Sequence, residues 1–412
     1  MKTTTSTRRL RIALLGTRGV PARYGGFETA IEEIGQRLAR RGHSVTVYCR
    51  QPQDGPENPK QFLGMRLVTL PALRFKSVET LTNSALSSLH AMGSKGQDVI
   101  IMFNSANAVY LPLLHARRLP VAVHVDGLEW RRSKWTGPGE RFYRSAESLA
   151  VRWADALIAD ARGIGDYYRD EFGAQTEFIP YGAPQLSDLL SDRLQDLQLE
   201  SKEFHLLVAR FEPENNVDLI LRGYLRSSAK MPIVVVGAAP YSDGYTAEIR
   251  RLAARDSRVR LIGSVWDQNL LDQLYCHARL YLHGHSVGGT NPSLLRAMGA
   301  GTAVGALGVV FNQEVIGSDA WLFRDPAEVA ALIEQAERTP QQADEYGESL
   351  QRRTAEKYQW EDVAHRYEQL SYALAGGWSR RGEVSGRRLN SPEWKLGSNQ
   401  LVTRAHNGDV GG

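Results

Sequence analysis

Short apolar runs alternate with amphipathic stretches along most of the chain. The runs are continuous in Val, Ile and Leu, which is typical of strands that a parallel sheet buries on both faces. In the first half they predict strands at Leu10–Gly16, Ser44–Arg50, Met65–Pro71, Asp98–Phe103, Pro120–Asp126, Ala156–Asp160 and Thr176–Tyr181. In the second half they predict strands at Phe204–Arg210, Pro232–Gly237, Val259–Gly263, Arg279–Gly284, Thr302–Leu307 and Ala320–Phe323.

Helical periodicity lies between these runs. Strands that alternate with helices predict parallel sheets with right-handed crossovers, in which ligands bind at the carboxyl ends of the strands. Two stretches repeat apolar residues at intervals that form one stripe along a helix. They are Phe27, Ile31, Ile34 and Leu38, and Phe142, Ala146, Leu149 and Trp153.

The chain of 412 residues is too long for one core, so two α/β domains with doubly wound parallel sheets are predicted, at 1–183 and 184–353. The polar segment Pro184–Glu203 is interpreted as a connector. A last helix is predicted at 354–375. The segment 376–412 is rich in Gly, Arg, Ser and Asn without periodicity, which predicts a disordered tail.

Composition excludes several classes of protein. With 42% hydrophobic and 23% charged residues the chain is an ordinary globular protein. No run approaches the roughly 18 apolar residues of a membrane helix, and the short run Ile12–Leu15 predicts a first strand rather than a signal peptide. Cys49 and Cys276 lie far apart, which excludes a disulfide framework and zinc-ligand spacing. A reducing cytoplasm is expected.

The net charge of +4 is mild and does not predict nucleic-acid binding. Its distribution is more informative, because the stretch from Arg131 to Arg152 holds six basic residues and two acidic ones. One interpretation is a solvated helix face. The other is a patch that contacts anionic lipid headgroups or a phosphate-bearing acceptor.

The loop Gly16–Glu28 follows the first predicted strand and leads into a helix. Gly25 and Gly26 allow a ligand to approach the backbone closely, and the helix N-terminus favours an anion. The alternative is an ordinary connection that needs glycine for its geometry. Because the loop matches neither the dinucleotide-binding pattern nor the P-loop, NAD and ATP chemistry are disfavoured.

The segment Val125–Trp135 also follows a predicted strand. Trp130 and Trp135 offer flat apolar faces, while Asp126 and the basic residues can hydrogen-bond sugar hydroxyls. Asp126 is a candidate general base or a helix cap. The alternative is a common loop with buried tryptophans.

Arg210 leaves a predicted strand where a guanidinium could bind phosphate through two hydrogen bonds, or form a surface salt bridge. The segment His283–Met298 is the most specific pattern. After two glycines, Thr290 or Asn291 is predicted to cap a helix that has Pro292 in its first turn, a good site for a diphosphate.

The same segment holds two histidines, His283 and His285, two positions apart. On a strand they would share a face. With no nearby carboxylate they are interpreted as structural residues rather than metal ligands.

These motifs, taken together, resemble the retaining glycosyltransferases of family 4, which have the GT-B fold of two Rossmann-like domains facing across a cleft. More closely, the chain resembles bacterial rhamnosyltransferases of capsule and exopolysaccharide synthesis. The resemblance runs from Leu10 to Leu374 and implies that helix 354–375 crosses back to the first domain. Its motifs are Gly16–Glu28, Asp126–Trp135, Pro180–Gly182, Pro213–Asn216 and His283–Leu295.

The resemblance implies roles for particular residues. Arg210 and Asp126 are the candidate catalytic residues: Arg210 holds the donor diphosphate and stabilises the leaving group, and Asp126 lies beside the transferred sugar. No metal, cofactor or covalent protein nucleophile is expected, because the leaving phosphate helps to deprotonate the acceptor. Donor-binding candidates are Gly25, Gly26, Arg210, Asn215, Val265, Gly288, Gly289, Thr290, Asn291 and Arg296. Acceptor-binding candidates are Arg23, Tyr24, Glu129, Trp130 and Arg131.

The donor motif departs from the family in places. Gly288 and Arg296 stand where the broad family has two glutamates, and the nearer rhamnosyltransferases keep the second, which would bind ribose hydroxyls. A guanidinium only donates hydrogen bonds, so Arg296 cannot replace it. Asn215 replaces the usual lysine, as in the nearer relatives. Either Arg296 supplies the missing cation, or activity is lost.

The sequence therefore predicts a cytoplasmic glycosyltransferase, peripheral at the inner face of the membrane if the basic stretch binds lipid. It would transfer L-rhamnose from dTDP-L-rhamnose, with retention, to a glycan or lipid-linked acceptor of cell-surface polysaccharide. The alternatives are another nucleotide sugar (UDP or GDP), a small-molecule acceptor, or a non-catalytic nucleotide-sugar-binding subunit.

Overall fold

The computed structural model describes residues 8–22, 25–52, 58–73, 79–94, 96–125, 127–132, 135, 137–187, 189–238 and 243–390. They form two compact units. Of the described residues, the first unit contains 8–131, 135–180 and 360–390, and the second contains 181–359 together with Arg132. The second unit thus begins at 181 rather than at 184, and it ends at 359 rather than at 353.

The first unit is built on one sheet, flanked in the chain by helices. Its strands are β1 (Arg11–Leu15), β2 (Ser44–Arg50), β3 (Gln61–Phe62), β4 (Met65–Leu70), β5 (Val99–Phe103), β6 (Val121–Val125), β7 (Ala156–Ala159) and β8 (Glu177–Phe178). They lie in the order β3-β4-β2-β1-β5-β6-β7-β8, parallel except where β3 meets β4. The helices are α1 (Gly26–Arg40), α2 (Glu79–Gly93), α3 (Leu111–His115), α4 (Pro138–Trp153) and α5 (Arg162–Phe172).

The second unit repeats the plan with six parallel strands. They are β9 (His205–Val208), β10 (Ile233–Val236), β11 (Val259–Gly263), β12 (Leu280–His283), β13 (Val304–Leu307) and β14 (Trp321–Phe323), in the order β11-β10-β9-β12-β13-β14. The helices are α6 (Val217–Tyr224), α7 (Asp243–Ala253), α8 (Gln268–His277), α9 (Pro292–Gly299), α10 (Val310–Ile316), α11 (Pro326–Arg338) and α12 (Pro340–Lys357).

Every strand predicted from an apolar run is present. The two-residue strand β3 was missed, because its pair Gln61–Phe62 carries no apolar run. Both predicted helices are present. In α1, Ile31, Ile34 and Leu38 of the predicted stripe are fully buried. In α4, however, only Ala146 of the predicted stripe is buried, and the buried face is instead formed by Tyr143, Ala146, Glu147, Ala150 and Val151. Burial on both faces explains why strands such as β5 are apolar at every position. Among the described residues, no helix is both long and apolar enough to span a bilayer.

Strand order places a switch point in each sheet. In the first unit the chain winds outward from β1 through β2 to β4, and then resumes at β5 on the other side of β1. In the second unit the same reversal falls between β9 and β12. Ligands of such sheets bind beyond the carboxyl ends of the strands at these points. The loops that follow β1, β9 and β12 are therefore the segments to examine.

The predicted helix at 354–375 is in fact interrupted. Helix α12 ends at Lys357 in the second unit, and a new helix, α13 (Trp360–Ala375), belongs to the first unit. The break falls where the carbonyl oxygen of Tyr358 accepts a hydrogen bond from the backbone N–H of Ala183 at 2.7 Å. This bond ties the residue that follows α12 to the beginning of the second unit.

Helix α13 packs against α1 of the first unit. At the end of α1, the Arg41 guanidinium forms ion pairs of 2.9 Å with both Glu361 and Glu368 of α13. His43 Nε2 lies 2.8 Å from the other carboxylate oxygen of Glu368. These contacts hold the last helix to the beginning of the chain.

The prediction of a disordered tail from residue 376 is wrong for residues 376–390. This stretch has no regular secondary structure, yet it lies on the first unit, where the largely buried side chain of Arg388 forms ion pairs with Glu147 and Glu171. The error arose because the absence of periodicity reports only the absence of helix or strand. The rest of the predicted tail, 391–412, lies outside the described residues.

Candidate functional site

Two neighbouring strands of the second sheet bring the strongest motifs together. Strands β9 and β12 pair in parallel, with Leu280 opposite His205 and Tyr281 opposite Leu206. Their carboxyl ends therefore meet at one edge, at the switch point of the sheet. Arg210 follows β9, and the loop that begins at His283 follows β12.

Asn215 connects the two segments. Its side-chain nitrogen donates to the carbonyl oxygen of Arg210 at 2.8 Å, and its side-chain oxygen lies 2.6 Å from Nδ1 of His285. This arrangement makes Nδ1 of His285 the donor. Both ends of the Asn215 amide are thus engaged, and the residue fixes the distance between the two loops.

The backbones of the two loops also approach closely. The N–H of Ser286 donates to the carbonyl oxygen of Glu214 at 2.9 Å, and the side chain of Asn216 donates to the carbonyl oxygen of Gly284 at 2.8 Å. A Cβ atom on Gly284 would lie 2.3 Å from the carbonyl oxygen of Asn215. Only glycine fits this position, which accounts for the first glycine of the motif.

The Arg210 guanidinium lies 3.3 Å from the carboxylate of Glu212, and 34% of its side chain remains exposed to solvent. A charged group in this half-buried setting at the carboxyl edge of the sheet is suited to an anionic ligand. The nearby carboxylate orients the guanidinium without burying it.

The two histidines of the donor motif are neutral at physiological pH. Burial lowers the pKa of His283 to about 3, and its Nδ1 lies 3.2 Å from the hydroxyl of Tyr281. Burial, followed by nearby cations that include Arg210, holds the pKa of His285 well below its usual value. Within the described residues, no group of three or more His, Cys, Asp or Glu side chains could hold a metal ion.

Helix α9 begins with a capping residue and Pro292, as the sequence predicts. The side chain of Asn291, rather than that of Thr290, caps the helix by accepting from the N–H of Ser293 at 2.9 Å, and Pro292 is the first helical residue. Gly288 has a φ of +117°, a left-handed conformation that favours glycine. Gly288, Gly289, Thr290 and Asn291 therefore form the last part of the connection between β12 and α9.

Arg296 points to α8 and forms an ion pair with Asp272. Sequence patterning did not find this partner, because the two residues lie on different helices. Val265 lies just beyond the carboxyl end of the edge strand β11 and is partly exposed. Its neighbour Trp266, which the sequence analysis did not single out, is 72% exposed.

In the first unit, Gly25 and Gly26 lie at the beginning of α1, beyond the switch point at β1. Two carboxylates of that helix hold the loop before it. Glu28 accepts from the backbone N–H of Arg18 at 3.2 Å, and Glu32 accepts from that of Ala22 at 2.7 Å. The predicted acceptor residues Arg23 and Tyr24 lie outside the described residues.

The loop that follows β6, residues 127–132, is here called the acceptor loop. The candidate catalytic residue Asp126 immediately before it lies outside the described residues. Gly127 has a φ of +56°, and a Cβ there would lie 2.8 Å from the Ile164 side chain. Glu129 is buried and accepts from Trp135 Nε1 at 3.3 Å.

Trp130 is half-buried rather than fully buried. Its Nε1 donates to the hydroxyl of Tyr167 at 3.3 Å. The guanidinium carbons of Arg131 and Arg144 each lie 5.1 Å from its ring centroid, within the range of a cation–π contact. Burial lowers the pKa of Arg131, although not enough to neutralise a guanidinium. The predicted acceptor residues of this loop thus form one aromatic and cationic cluster.

Comparison with known proteins identifies glycosyltransferase domains in both halves of the chain. The family described as Glycosyl transferase 4-like domain matches residues 25–182, and the family Glycosyl transferases group 1 matches residues 203–338. O-antigen chain mannosyltransferase C of Escherichia coli is 24% identical over 379 residues, which cover 86% of this chain and 96% of that protein.

Solved structures share the fold over nearly nine-tenths of the chain. Sucrose-phosphate synthase from Thermosynechococcus elongatus has a TM-score of 0.78 at 20% identity, over 89% of this chain and 100% of that one. HepE of Anabaena, solved in complex with UDP-glucose, has a TM-score of 0.72 at 16% identity, over 88% of this chain and 100% of that one. Two parallel-sheet α/β domains with these structural neighbours make this the GT-B fold.

Proposed function

We propose that this chain, a glycosyltransferase with the GT-B fold, transfers L-rhamnose from dTDP-L-rhamnose to a glycan or lipid-linked acceptor, with retention of anomeric configuration. The process it serves would be the synthesis of a cell-surface polysaccharide. Similarity to the O-antigen chain mannosyltransferase supports the process. The choice of sugar rests on the resemblance of the donor and acceptor motifs to rhamnosyltransferases.

The observation that carries the proposal is the linked cluster of Arg210, Asn215 and His285 at the switch point of the second sheet. In the proposed reaction Arg210 binds the diphosphate of the donor and stabilises the negative charge that develops as it leaves. The turn of Gly288, Gly289, Thr290 and Asn291 would bind the sugar and phosphates through backbone N–H groups.

On the acceptor side, Trp130 would stack on the apolar face of a sugar, with Arg131 and Glu129 near its hydroxyls. Asp126 would lie beside the transferred sugar and the incoming hydroxyl, with Arg23 and Tyr24 completing the acceptor site. The sugar–phosphate bond breaks with its electron pair going to the diphosphate. The acceptor oxygen attacks from the same face, and its proton passes to the departing phosphate.

We propose that Arg296 has a structural role and does not contact the donor. Its ion pair with Asp272 uses the charge that a direct contact with the diphosphate would need, so the pair is better suited to holding α8 against α9. The test is Arg296→Gln, which removes the charge without placing a second carboxylate beside Asp272. Unchanged donor affinity in Arg296→Gln would exclude a direct contact, whereas a large loss would restore the hypothesis that Arg296 supplies the missing cation.

The proposal is tested first by thermal shift with dTDP, UDP, GDP and their sugar conjugates. A ligand at about 100 times its dissociation constant adds about 2.7 kcal/mol to the stability of the folded state. Selective stabilisation by dTDP species is expected, and Arg210→Ala should abolish it. Arg250→Ala, at an exposed position of α7, is the matched control and should keep the shift.

The runner-up is the same reaction with a UDP or GDP sugar, which is motivated by the UDP-glucose complex of HepE. A preference for UDP or GDP in the panel would decide for it. A third reading, a nucleotide-sugar-binding subunit without activity, is motivated by Arg296. It predicts a thermal shift without transfer or hydrolysis when the donor is incubated with candidate acceptors.

A peripheral contact with an anionic membrane is also proposed for the basic stretch 131–152. Arg141 and Arg152 are exposed on α4, and Arg144 is half-buried. Each cation near an anionic surface contributes about 1 kcal/mol. Co-sedimentation with phosphatidylglycerol vesicles should fall in Arg141→Glu/Arg152→Glu and stay unchanged in Arg250→Glu. If both variants bind the vesicles equally, the basic residues of α4 face solvent and do not contact the membrane.

A further inference from the structure

Residues 379–390, here called the C-terminal strap, are attached to the first unit along α4 and α5. The hydroxyl of Ser379 donates to the Asp155 carboxylate at 2.6 Å, and the N–H of Arg380 donates to the carbonyl oxygen of Asp155 at 2.8 Å. At the other end, the N–H of Leu389 donates to the carbonyl oxygen of Glu171 at 2.7 Å. The strap is therefore anchored at both ends.

The strap lies very close to α4 in between. Gly386 has a φ of +73°, and a Cβ there would lie 2.3 Å from the carbonyl oxygen of Ser148. The backbone of the strap thus reaches the surface of α4 only because this residue has no side chain.

Arg388 inserts from the strap between α4 and α5, and 13% of its side chain remains exposed. Its Nη1 donates to the hydroxyl of Tyr167 at 2.9 Å and to the carboxylate of Glu171 at 3.1 Å. Its Nη2 donates to the carbonyl oxygen of Arg144 at 3.0 Å and contacts the carboxylate of Glu147. Glu147 and Glu171 are both buried, so Arg388 compensates two carboxylates inside the protein.

Two of these contacts lead to the acceptor loop. The hydroxyl of Tyr167, which donates to Glu147 at 2.8 Å, accepts from Nε1 of Trp130 at 3.3 Å. Arg144, whose carbonyl oxygen accepts from Arg388, also places its guanidinium 5.1 Å from the Trp130 ring centroid. Arg388 is therefore linked to Trp130 through the hydroxyl of Tyr167, and it also contacts the main chain of the residue whose guanidinium lies near the Trp130 ring.

We infer that Arg388 is a positioning residue for acceptor binding: it orients the Tyr167 hydroxyl, which in turn orients Trp130 of the acceptor loop. This inference rests on the proposed function, because it takes Trp130 as part of the acceptor site. It makes the strap a functional part of the first unit rather than a passive end of the chain.

The test compares Arg388→Met with Arg387→Met in the full chain. Arg387 is the adjacent strap residue and its side chain is exposed, so the two variants remove the same charge at neighbouring positions. Arg388→Met is expected to raise the KM for the acceptor about tenfold, the effect of losing one charge-assisted hydrogen bond. The KM for the donor sugar should stay unchanged. Equal acceptor KM values in the two variants would overturn the inference.

Because Arg388→Met leaves two buried carboxylates, a milder variant guards against a folding defect. Tyr167→Phe keeps the ring and removes only the hydroxyl that joins Trp130 to Arg388. It should raise the acceptor KM in the same way. If Tyr167→Phe lowers the melting temperature but leaves the acceptor KM at the wild-type value, the network is purely structural and the inference fails.

Hydrogen–deuterium exchange separates this inference from the proposed function. The backbone amides of 128–131 should exchange faster in Arg388→Met than in Arg387→Met, whether or not an acceptor is known. Faster exchange together with an inactive wild-type protein would reject the proposed transfer and leave the positioning role in place. Identical exchange in both variants would reject the positioning role itself.

Discussion

The loop after β12 and the acceptor loop after β6 both leave a buried strand, yet different parts of the chain hold them. His285 of the first loop is held by Asn215, 70 positions away, which follows the neighbouring strand of the same sheet. Trp130 of the second loop is held by Tyr167, and Tyr167 is held in turn by Arg388, which lies 221 positions further along the chain. The loop after β12 is positioned by the sheet that carries it, and the acceptor loop is positioned by the C-terminal strap.

The interactions that hold the two loops also differ in energy. The loop after β12 is fixed mainly by backbone and amide hydrogen bonds between neutral groups, each worth about 1 kcal/mol. The acceptor loop depends on a guanidinium and two carboxylates that are buried together, where losing one partner leaves an uncompensated charge. Single substitutions should therefore damage the two loops by very different amounts.

The largest expected effect is on the stability of the first unit. Arg388→Met should lower the free energy of unfolding by about 3–5 kcal/mol, because Glu147 and Glu171 remain buried without their cation. Urea unfolding measures it. Arg387→Met should stay within about 0.5 kcal/mol of wild type, as is usual for surface changes. If both variants are equally stable, the buried ion pairs do not distinguish the two loops.

The next effect concerns the second unit. Arg210→Ala should reduce kcat by about 10²–10³, equivalent to about 2.7–4 kcal/mol, because stabilisation of the leaving diphosphate is lost. Steady-state kinetics with the donor identified by the thermal-shift panel provide the measurement. Stability should change little, since Arg210 is partly exposed. A variant with full activity would remove Arg210 from the proposed mechanism.

A matched pair of glycines sharpens the comparison further. A Cβ on Gly284 or on Gly386 would lie 2.3 Å from a backbone oxygen, that of Asn215 or of Ser148 respectively. Either alanine substitution should cost about 1–3 kcal/mol of stability through overpacking. Gly284→Ala should weaken donor binding selectively, and Gly386→Ala should weaken acceptor binding selectively. Both are read from KM values, and the same pattern in both variants would show that the loops are not independent.

A smaller effect is expected on the pH dependence of stability, because one buried histidine precedes each loop. Burial lowers the pKa of both His124, in β6, and His283, in β12, to about 3. The unfolded chain gains a proton on each below about pH 6.5, while the folded protein does not. Stability is therefore lost as the pH falls, by up to about 2 kcal/mol per histidine at pH 5.

Urea unfolding at pH 7.5 and pH 5 measures this loss. His124→Phe and His283→Gln should each reduce the pH dependence by a similar amount, in spite of the different surroundings of the two loops. His124 stacks on Phe103 with ring centroids 5.2 Å apart, so the phenylalanine variant retains that packing. If neither variant changes the pH dependence, other groups cause the loss at acid pH.

Removal of divalent cations is expected to have no effect on the transfer rate. The proposed transfer uses Arg210 rather than a divalent cation to stabilise the diphosphate. Treatment with EDTA should leave the rate unchanged, and added Mg²⁺ or Mn²⁺ should not raise it. A clear loss on chelation that Mg²⁺ restores would contradict the proposed mechanism on the donor side and leave the acceptor side untouched.

The sequence predicted the features whose causes lie close together in the chain. Apolar runs gave the strands, and the glycines and Asn291 gave the turn and cap before α9, because each depends on residues a few positions away. The strand order that brings Arg210 beside the loop after β12 was not predicted, because the alternation of strands and helices predicts parallel sheets but not which strands are neighbours.

Features that depend on distant partners escaped prediction. The partner of Arg296 lies on another helix, and Asp272 carries no local signal of that pairing. The hydrogen bond at the break before α13 comes from Ala183, which is far from Tyr358 in the chain. The strap was missed for the same reason, because Arg388 is an unremarkable arginine until Glu147 and Glu171 are placed beside it.

The hydrogen bond between Ala183 and Tyr358 has a consequence for engineering. The chain enters the second unit near residue 181 and leaves it near residue 359, and this bond keeps the two points 2.7 Å apart between nitrogen and oxygen. Apart from Arg132, the described part of the second unit is one continuous segment whose ends are adjacent, whereas the described part of the first unit is assembled from separate pieces. A segment with this layout can be exchanged between related enzymes as one cassette, joined at two neighbouring points, while the strap and the acceptor loop stay with the host.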